Sequence, residues 1–175
     1  LYHPQTNPDP YVIKYNGMYY CYSTGEGGVQ VSISKDLVTW TYLGIATVKE
    51  SKHNYWAPSV IYDNGIFYLY CSNTSSDTDD YHQEYLQLYT STKPEGPFTF
   101  VKTFFYKFSI DAHVIRDYNG ELYLFYSTND YNGIEENNAG TIILVDRLLS
   151  FTELAGEEHA IVLPSLQEEV FEQNR

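Results

Sequence analysis

The chain has 175 residues, a formal net charge of −13 and many aromatic residues, with 19 Tyr and 9 Phe. The length allows one domain with a sizeable core, and aromatic side chains favour the half-buried surface of a β-sheet. The acidic charge argues against a nucleic acid partner, because phosphate binding needs clustered Lys and Arg. No apolar run reaches the ~18 residues that cross a membrane. We expect a soluble protein, and the sequence leaves open whether it is cytoplasmic or secreted.

One pattern occurs three times along the chain, in residues 9–20, 57–68 and 111–123. Each copy has a short apolar strand, an Asn-Gly pair and an aromatic strand. Asn-Gly suits a two-residue hairpin turn, because both central positions need positive φ, which these two residues tolerate best. The copies begin 48 and 54 residues apart. Periods near 50 residues with several strands each are typical of propeller blades.

After each aromatic strand the sequence predicts a third strand, a turn and a fourth, outer strand. Val29, Val31 and Ile33 alternate with other residues in the first copy, as Leu86 and Leu88 do in the second. Alternation with a period of two indicates a half-buried strand. Four strands per unit, repeated radially, form a β-propeller. The sequence therefore predicts an all-β propeller in preference to a generic β-sandwich.

The predicted domain covers residues 1–175 and holds about three and a half blades. Its blades are predicted at about 9–50, 57–104 and 111–155, with the start of a fourth at about 160–175. Propellers typically close with four to eight blades, and an open ring exposes strand edges and an apolar face. We therefore expect the sequence to be the N-terminal part of a longer protein whose remaining blades close the ring.

The residues that open the three repeats carry the candidate chemistry. The first strand of each propeller blade lines the central channel, so Asp9, Ala57 and Asp111 are expected to converge at one mouth. Two carboxyl groups at one cavity suit glycoside hydrolysis, in which a base and an acid flank the scissile bond. Asp also caps turns, but the shared repeat phase of Asp9 and Asp111 favours catalysis.

These openings resemble those of glycoside hydrolase family 43. The similarity covers residues 7 to about 155 and is carried by Asn7-Pro8-Asp9, by residues 55–58 (Tyr-Trp-Ala-Pro), by Ser109-Ile110-Asp111 and by the turn from Ser34 to Trp40. Members of that family are five-bladed propellers that cleave arabinosides, xylosides and related plant-type glycans with inversion. The resemblance thus implies about three and a half blades of a five-bladed ring.

The resemblance also implies a role for each carboxylate. Asp9 is expected to be the general base that activates water, and Asp111 to tune the pKa and orientation of the general acid. The acid is expected to be a Glu that opens blade four beyond Arg175, because neither Glu168 nor Glu169 precedes a small residue or Pro. The 175 residues by themselves are therefore expected to be inactive.

Two aromatic residues are candidates for substrate binding. Trp56 could present its indole face to a sugar ring or pack between blades. His113 could reach the cavity or pack beside its strand. The sequence Asp111-Ala112-His113 also differs from the Asp-Pro that family members often have here, which leaves the identity of the substrate open.

No metal or cofactor is predicted, because the five His residues lack paired ligand spacing. The expected partner is an oligosaccharide or polysaccharide. Two alternatives remain open. One is a propeller that binds carbohydrate or protein without turnover, since a fold does not dictate function. The other is a fructan hydrolase of the related five-bladed clan, whose Arg-Asp-Pro motif the segment Ile110-Asp111-Ala112 does not supply.

Overall fold

A computed structural model of the chain describes residues 6–131 and 140–163, which form three antiparallel sheets. The first sheet consists of β1 (Tyr11–Tyr15), β2 (Met18–Ser23), β3 (Gln30–Ser34) and β4 (Trp40–Ile45). The second consists of β5 (Lys52–Asp63), β6 (Ile66–Ser75), β7 (Tyr85–Ser91) and β8 (Thr99–Thr103), with a 3₁₀ turn at Tyr81–Gln83. The third consists of β9 (Ile110–Arg116), β10 (Leu122–Tyr131), β11 (Gly140–Ser150), β12 (Glu153–Leu154) and β13 (His159–Val162). In each sheet the strands pair in chain order, except that β13 also pairs with β11.

The first two Asn-Gly pairs form the predicted two-residue turns. Asn16 and Gly17 have φ of 48° and 78°, and Asn64 and Gly65 have φ of 46° and 88°. The third turn is longer than predicted, because that copy contains one more residue before its aromatic strand. The amide of Asp117 donates to the Glu121 carbonyl at 2.9 Å, and only the Gly120 position has positive φ. This is a three-residue loop with Gly at the left-handed position.

The second sheet is the middle layer, and both of its faces are buried. Phe67 and Leu69 on β6 share one core with residues of the first sheet, whereas Tyr70 shares another core with residues of the third sheet. The Tyr70 hydroxyl donates to the Phe151 carbonyl at 2.7 Å, which ties the second sheet to the third. Each sheet thus packs face to face with the next, as the blades of a propeller do.

Strand β7 is more buried than its sequence predicts. Leu86 and Leu88 were expected on the inner face of a half-buried strand, but Gln87 between them is buried as well. The reason is the position of β7 within the middle sheet, which is covered on both sides. Because Gln87 is buried, it needs a polar partner, and the Thr103 hydroxyl donates to its Oε1 at 2.6 Å.

The first strands of the three sheets lie side by side, β1 beside β5 and β5 beside β9. This arrangement confirms the predicted fold class, an all-β partial propeller. Residues 159–162, predicted near the start of a fourth blade, form β13 and pair with Ile143–Val145 of the third sheet. Residues 164–175 lie outside the described residues, and Glu168 and Glu169 are among them. Within the described ranges, no helix is long and apolar enough to cross a membrane.

A buried carboxyl group directly precedes β7 of the second sheet. Glu84 is fully buried, and the Thr74 hydroxyl donates to its Oε1 at 2.6 Å. Burial raises the pKa of Glu84 to about 7, an effect that hydrogen bonds from Thr74 and Asn54 partly offset. The folded protein therefore holds a proton on Glu84 between about pH 4.5 and 7 that the unfolded chain releases.

The raised pKa of Glu84 predicts that the stability of the folded protein depends on pH. Because its pKa is higher in the folded state, the folded protein loses stability as the pH rises from about 4.5 to 7, by on the order of 3 kcal/mol. Glu84→Gln keeps the shape without the charge. It should raise the melting temperature of the whole protein at pH 8 and leave it nearly unchanged at pH 5. The exposed Glu153→Gln is the control, and an equal shift of Glu84→Gln at both pH values would contradict the prediction.

Candidate active site

A cavity of about 340 Å³ opens where the three repeats begin, and residues 9–11, 57–59 and 111–113 line it. The structure therefore brings Asp9, which precedes β1, together with Ala57 of β5 and Asp111 of β9. Their neighbours in the lining include Tyr11 and His113, whose rings contact each other with centroids 5.6 Å apart. The cavity thus combines two carboxyl groups with an aromatic and an imidazole ring.

All three opening residues have the left-handed backbone conformation. The φ angles are 52° at Asp9, 41° at Ala57 and 57° at Asp111. Residues other than Gly seldom adopt this region, and it costs an L-residue roughly 1–2 kcal/mol. Such strain is concentrated at functional sites. No motif in the sequence indicates this backbone strain directly, although the shared repeat phase of the three residues indicates their positions.

The hydroxyl group of Thr24, which belongs to none of the motifs described above, holds Asp9. Thr24 Oγ1 donates to Asp9 Oδ2 at 2.6 Å, and the Ala57 amide donates to the same Oγ1 at 2.9 Å. Each repeat has a hydroxyl residue at this phase, 15 or 16 positions after its opening residue: Thr24, Ser72 and Ser127. That regularity is the signal in the sequence from which Thr24 could have been found.

The pKa of Asp111 depends both on its surroundings and on Asp9. Removal from water by the cavity walls raises the pKa of Asp111, and the negative charge of Asp9 raises it further. Like charges resist joint ionisation, so the negative charge of Asp9 disfavours the ionised form of Asp111. Burial lowers the pKa of His113, which favours its neutral form. A neutral imidazole can both donate and accept a hydrogen bond, as sugar hydroxyls also do.

The two residues predicted to bind substrate differ in their placement. His113 lines the cavity together with Asp111, whereas the lining does not include Trp56. Trp56 is half-buried in β5, and its backbone pairs with Ser72 of β6, next to an irregularity in the ladder. A contact of Trp56 with substrate therefore stays a prediction. Over residues 6–131 and 140–163 no group of three His, Cys, Asp or Glu side chains could hold a metal ion.

Comparisons with known proteins bear on the family and the fold of the chain. The sequence model of glycosyl hydrolases family 43 matches residues 3–170. A thermostable family-43 glycoside hydrolase of known structure superimposes with a TM-score of 0.79 at 29% identity, over 92% of this chain and 54% of that one. An endo-1,4-β-xylanase from Bacteroides thetaiotaomicron gives a TM-score of 0.65 at 27% identity, over 85% of this chain and 51% of that one.

An endo-arabinase from the same organism gives a TM-score of 0.71 at 20% identity, over 91% of this chain and 57% of that one. At this identity the similarity shows the fold only. The chain thus spans about half the length of these structural relatives. A comparison with curated protein sequences found no match.

Proposed function

This chain belongs to glycosyl hydrolases family 43, and from that premise we propose that the whole protein is an inverting glycosidase. Its substrates are arabinosides, xylosides or related plant-type glycans. The observation that supports this proposal best is the shared cavity of Asp9 and Asp111, in which the charge of one carboxylate raises the pKa of the other. Paired carboxyl groups with different environments are the usual apparatus of glycoside hydrolysis.

Asp9 is the general base in this proposal. Its Oδ2 accepts the hydrogen bond from Thr24, which leaves Oδ1 to receive a proton from the attacking water. The water oxygen then bonds to the anomeric carbon while the glycosidic bond breaks on the opposite face of the sugar. A carboxylic acid roughly 6.5–9.5 Å from the base protonates the leaving oxygen. We assign that acid to a Glu outside the described residues, as the family resemblance implies.

Asp111 keeps the acid protonated. A carboxylate next to a second carboxyl group raises the pKa of that group, so the acid still carries its proton near neutral pH. His113 and Tyr11 face the same cavity and offer hydrogen-bonding groups and ring surface to a sugar. We propose His113 as a substrate contact on this basis. For Trp56 the same role rests on its residue type alone, because its indole face is a candidate surface for a sugar ring.

The remaining blades of the same protein complete the ring in this proposal. The first sheet leaves Val12, Leu43 and Ile45 exposed, and the third sheet leaves Ile143 and Leu149 exposed. Apolar side chains on the outer faces of a stack of blades are what further blades would cover. We therefore propose the predicted extent of the domain, residues 1–175, as one part of a larger catalytic propeller.

The test is the hydrolysis of a panel of substrates by the whole protein. Nitrophenyl α-L-arabinofuranoside, β-D-xyloside and β-D-galactoside are compared with a fructan oligosaccharide. We expect turnover of at least one of the three aryl glycosides, with a first product of inverted anomeric configuration in a time-resolved NMR spectrum. Turnover of fructan only would favour the related clan. Sugar binding without any turnover would favour a non-catalytic propeller.

A further inference from the structure

We propose that Thr24 is a positioning residue for Asp9, and that its hydroxyl decides which carboxylate oxygen is free to take the proton from water. This inference rests on the proposed role of Asp9 as general base. We do not propose that Thr24 touches the substrate, because Thr24 is not part of the cavity lining, which consists of residues 9–11, 57–59 and 111–113. Its action would pass through Asp9.

The direction of the hydroxyl hydrogen follows from the two neighbours of Thr24 Oγ1. The Ala57 amide is a donor only, and it approaches Oγ1 at 2.9 Å. The single hydroxyl hydrogen is therefore available to Asp9 Oδ2, which is 2.6 Å away and accepts it. A hydrogen bond to an ionised carboxylate is short and strong. It holds Oδ2 and leaves Oδ1 as the basic oxygen.

The backbone of Thr24 is itself held by hydrogen bonds. The Thr24 amide donates to the Pro8 carbonyl at 3.0 Å. The Thr24 carbonyl accepts from Gln30 Nε2 at 2.5 Å, and the same nitrogen donates to the Thr6 carbonyl at 3.0 Å. Gln30 is buried on β3. The segment that leads into Asp9 is thus tied to Thr24 through Pro8 and to Gln30 of the first sheet through Thr6.

Two further features make Thr24 more than a structural link. Asp9 has a strained backbone, with φ of 52°, so its side chain direction depends on contacts that hold it. Thr is also β-branched, which restricts its χ1 rotamers and therefore the direction of the hydroxyl. The same Oγ1 joins Asp9, which leads into the first sheet, to Ala57 of the second. Thr24 therefore couples the position of the base to the packing between the two sheets.

The test uses Thr24→Val, Thr24→Ser and Thr24→Ala in the whole protein. Thr24→Val keeps the shape but removes the hydroxyl, so we expect kcat to fall by about 10- to 100-fold, the cost of one lost charge-assisted hydrogen bond. KM should change by less than about threefold, because no substrate contact is lost. Thr24→Ser should retain most of kcat and Thr24→Ala should resemble Thr24→Val. The exposed Thr41→Val on β4 is the matched control.

A double-mutant cycle separates positioning from a structural role. If Thr24 acts through Asp9, then Thr24→Val should cause no further loss of kcat in the Asp9→Asn background. An equal loss in both backgrounds, or a Thr24→Val enzyme with the kcat of the wild type, would overturn the positioning role. Full activity of Asp9→Asn itself would instead overturn the proposed function. Melting temperatures of all variants show which of them remain folded, and Thr24→Ala, which also lacks the hydroxyl, replaces Thr24→Val in the cycle if Thr24→Val unfolds.

Discussion

Asp9→Asn in the whole protein is expected to lower kcat by about 10²–10⁴-fold, the usual effect of removing a general base. Asn has the shape of Asp and can still accept the Thr24 hydrogen bond through its side-chain oxygen. It cannot take a proton from water. The change should therefore reduce turnover while the melting temperature stays close to that of the wild type. Turnover is measured on the best substrate of the panel, at saturating concentration.

The matched control is Asp79→Asn, at an exposed position outside the cavity. It should have the kcat of the wild type. If Asp9→Asn keeps full turnover, then Asp9 is not the base. If both variants lose activity and stability together, the loss reflects folding and the catalytic assignment gains no support from it.

Asp9→Asn also has an expected effect that does not depend on catalysis. The negative charge of Asp9 is the second of two causes that raise the pKa of Asp111, after removal of that carboxyl group from water. Without this charge the pKa of Asp111 should move towards its ordinary value and stay above it, because the cavity walls remain. An NMR titration of the side-chain carboxyl carbon measures this shift. An unchanged pKa would mean that the two carboxyl groups are not coupled.

The fold could be predicted from the sequence because its local signals repeat. Asn16-Gly17 and Asn64-Gly65 specify tight turns by themselves, and the three copies give the propeller its period. The third turn was predicted wrongly, since one additional residue changes the turn type although Asn-Gly is still present. The burial of Gln87 was not predictable either, because it depends on the covering of β7 by two other sheets and not on the strand itself.

The two carboxylates of the candidate site could be predicted from the sequence, and the hydroxyl group that holds Asp9 less readily. Asp9 and Asp111 share a repeat phase, and a propeller brings such positions together. Thr24 lies 15 residues from Asp9, directly after the end of β2, in a segment that has no unusual composition. Its contact with Asp9 depends on a left-handed backbone at Asp9 and on the amide of Ala57 from another sheet. Backbone strain and contacts between sheets leave no pattern in a single copy of the repeat.

Asp111→Asn is expected to shift the pH dependence of the whole enzyme. In the proposed mechanism the negative charge of Asp111 raises the pKa of the general acid, which must be protonated to act. The neutral Asn removes this effect, so the basic limb of the kcat/KM profile should move to lower pH by about one to two units. At neutral pH this corresponds to a loss of activity of about 10- to 100-fold. The control is again Asp79→Asn, whose profile should match that of the wild type.

The acidic side of the same profile supplies a second check on Asp111. Because burial and Asp9 raise the pKa of Asp111, its carboxyl group becomes protonated, and hence neutral, at a higher pH than an ordinary Asp. Wild type and Asp111→Asn should therefore converge as the pH falls. Substrates with good and poor leaving groups test whether Asp111 is itself the general acid. In that case Asp111→Asn would lose activity at every pH on poor leaving groups and little on nitrophenyl glycosides, whereas a residue that tunes another acid shifts the basic limb for both.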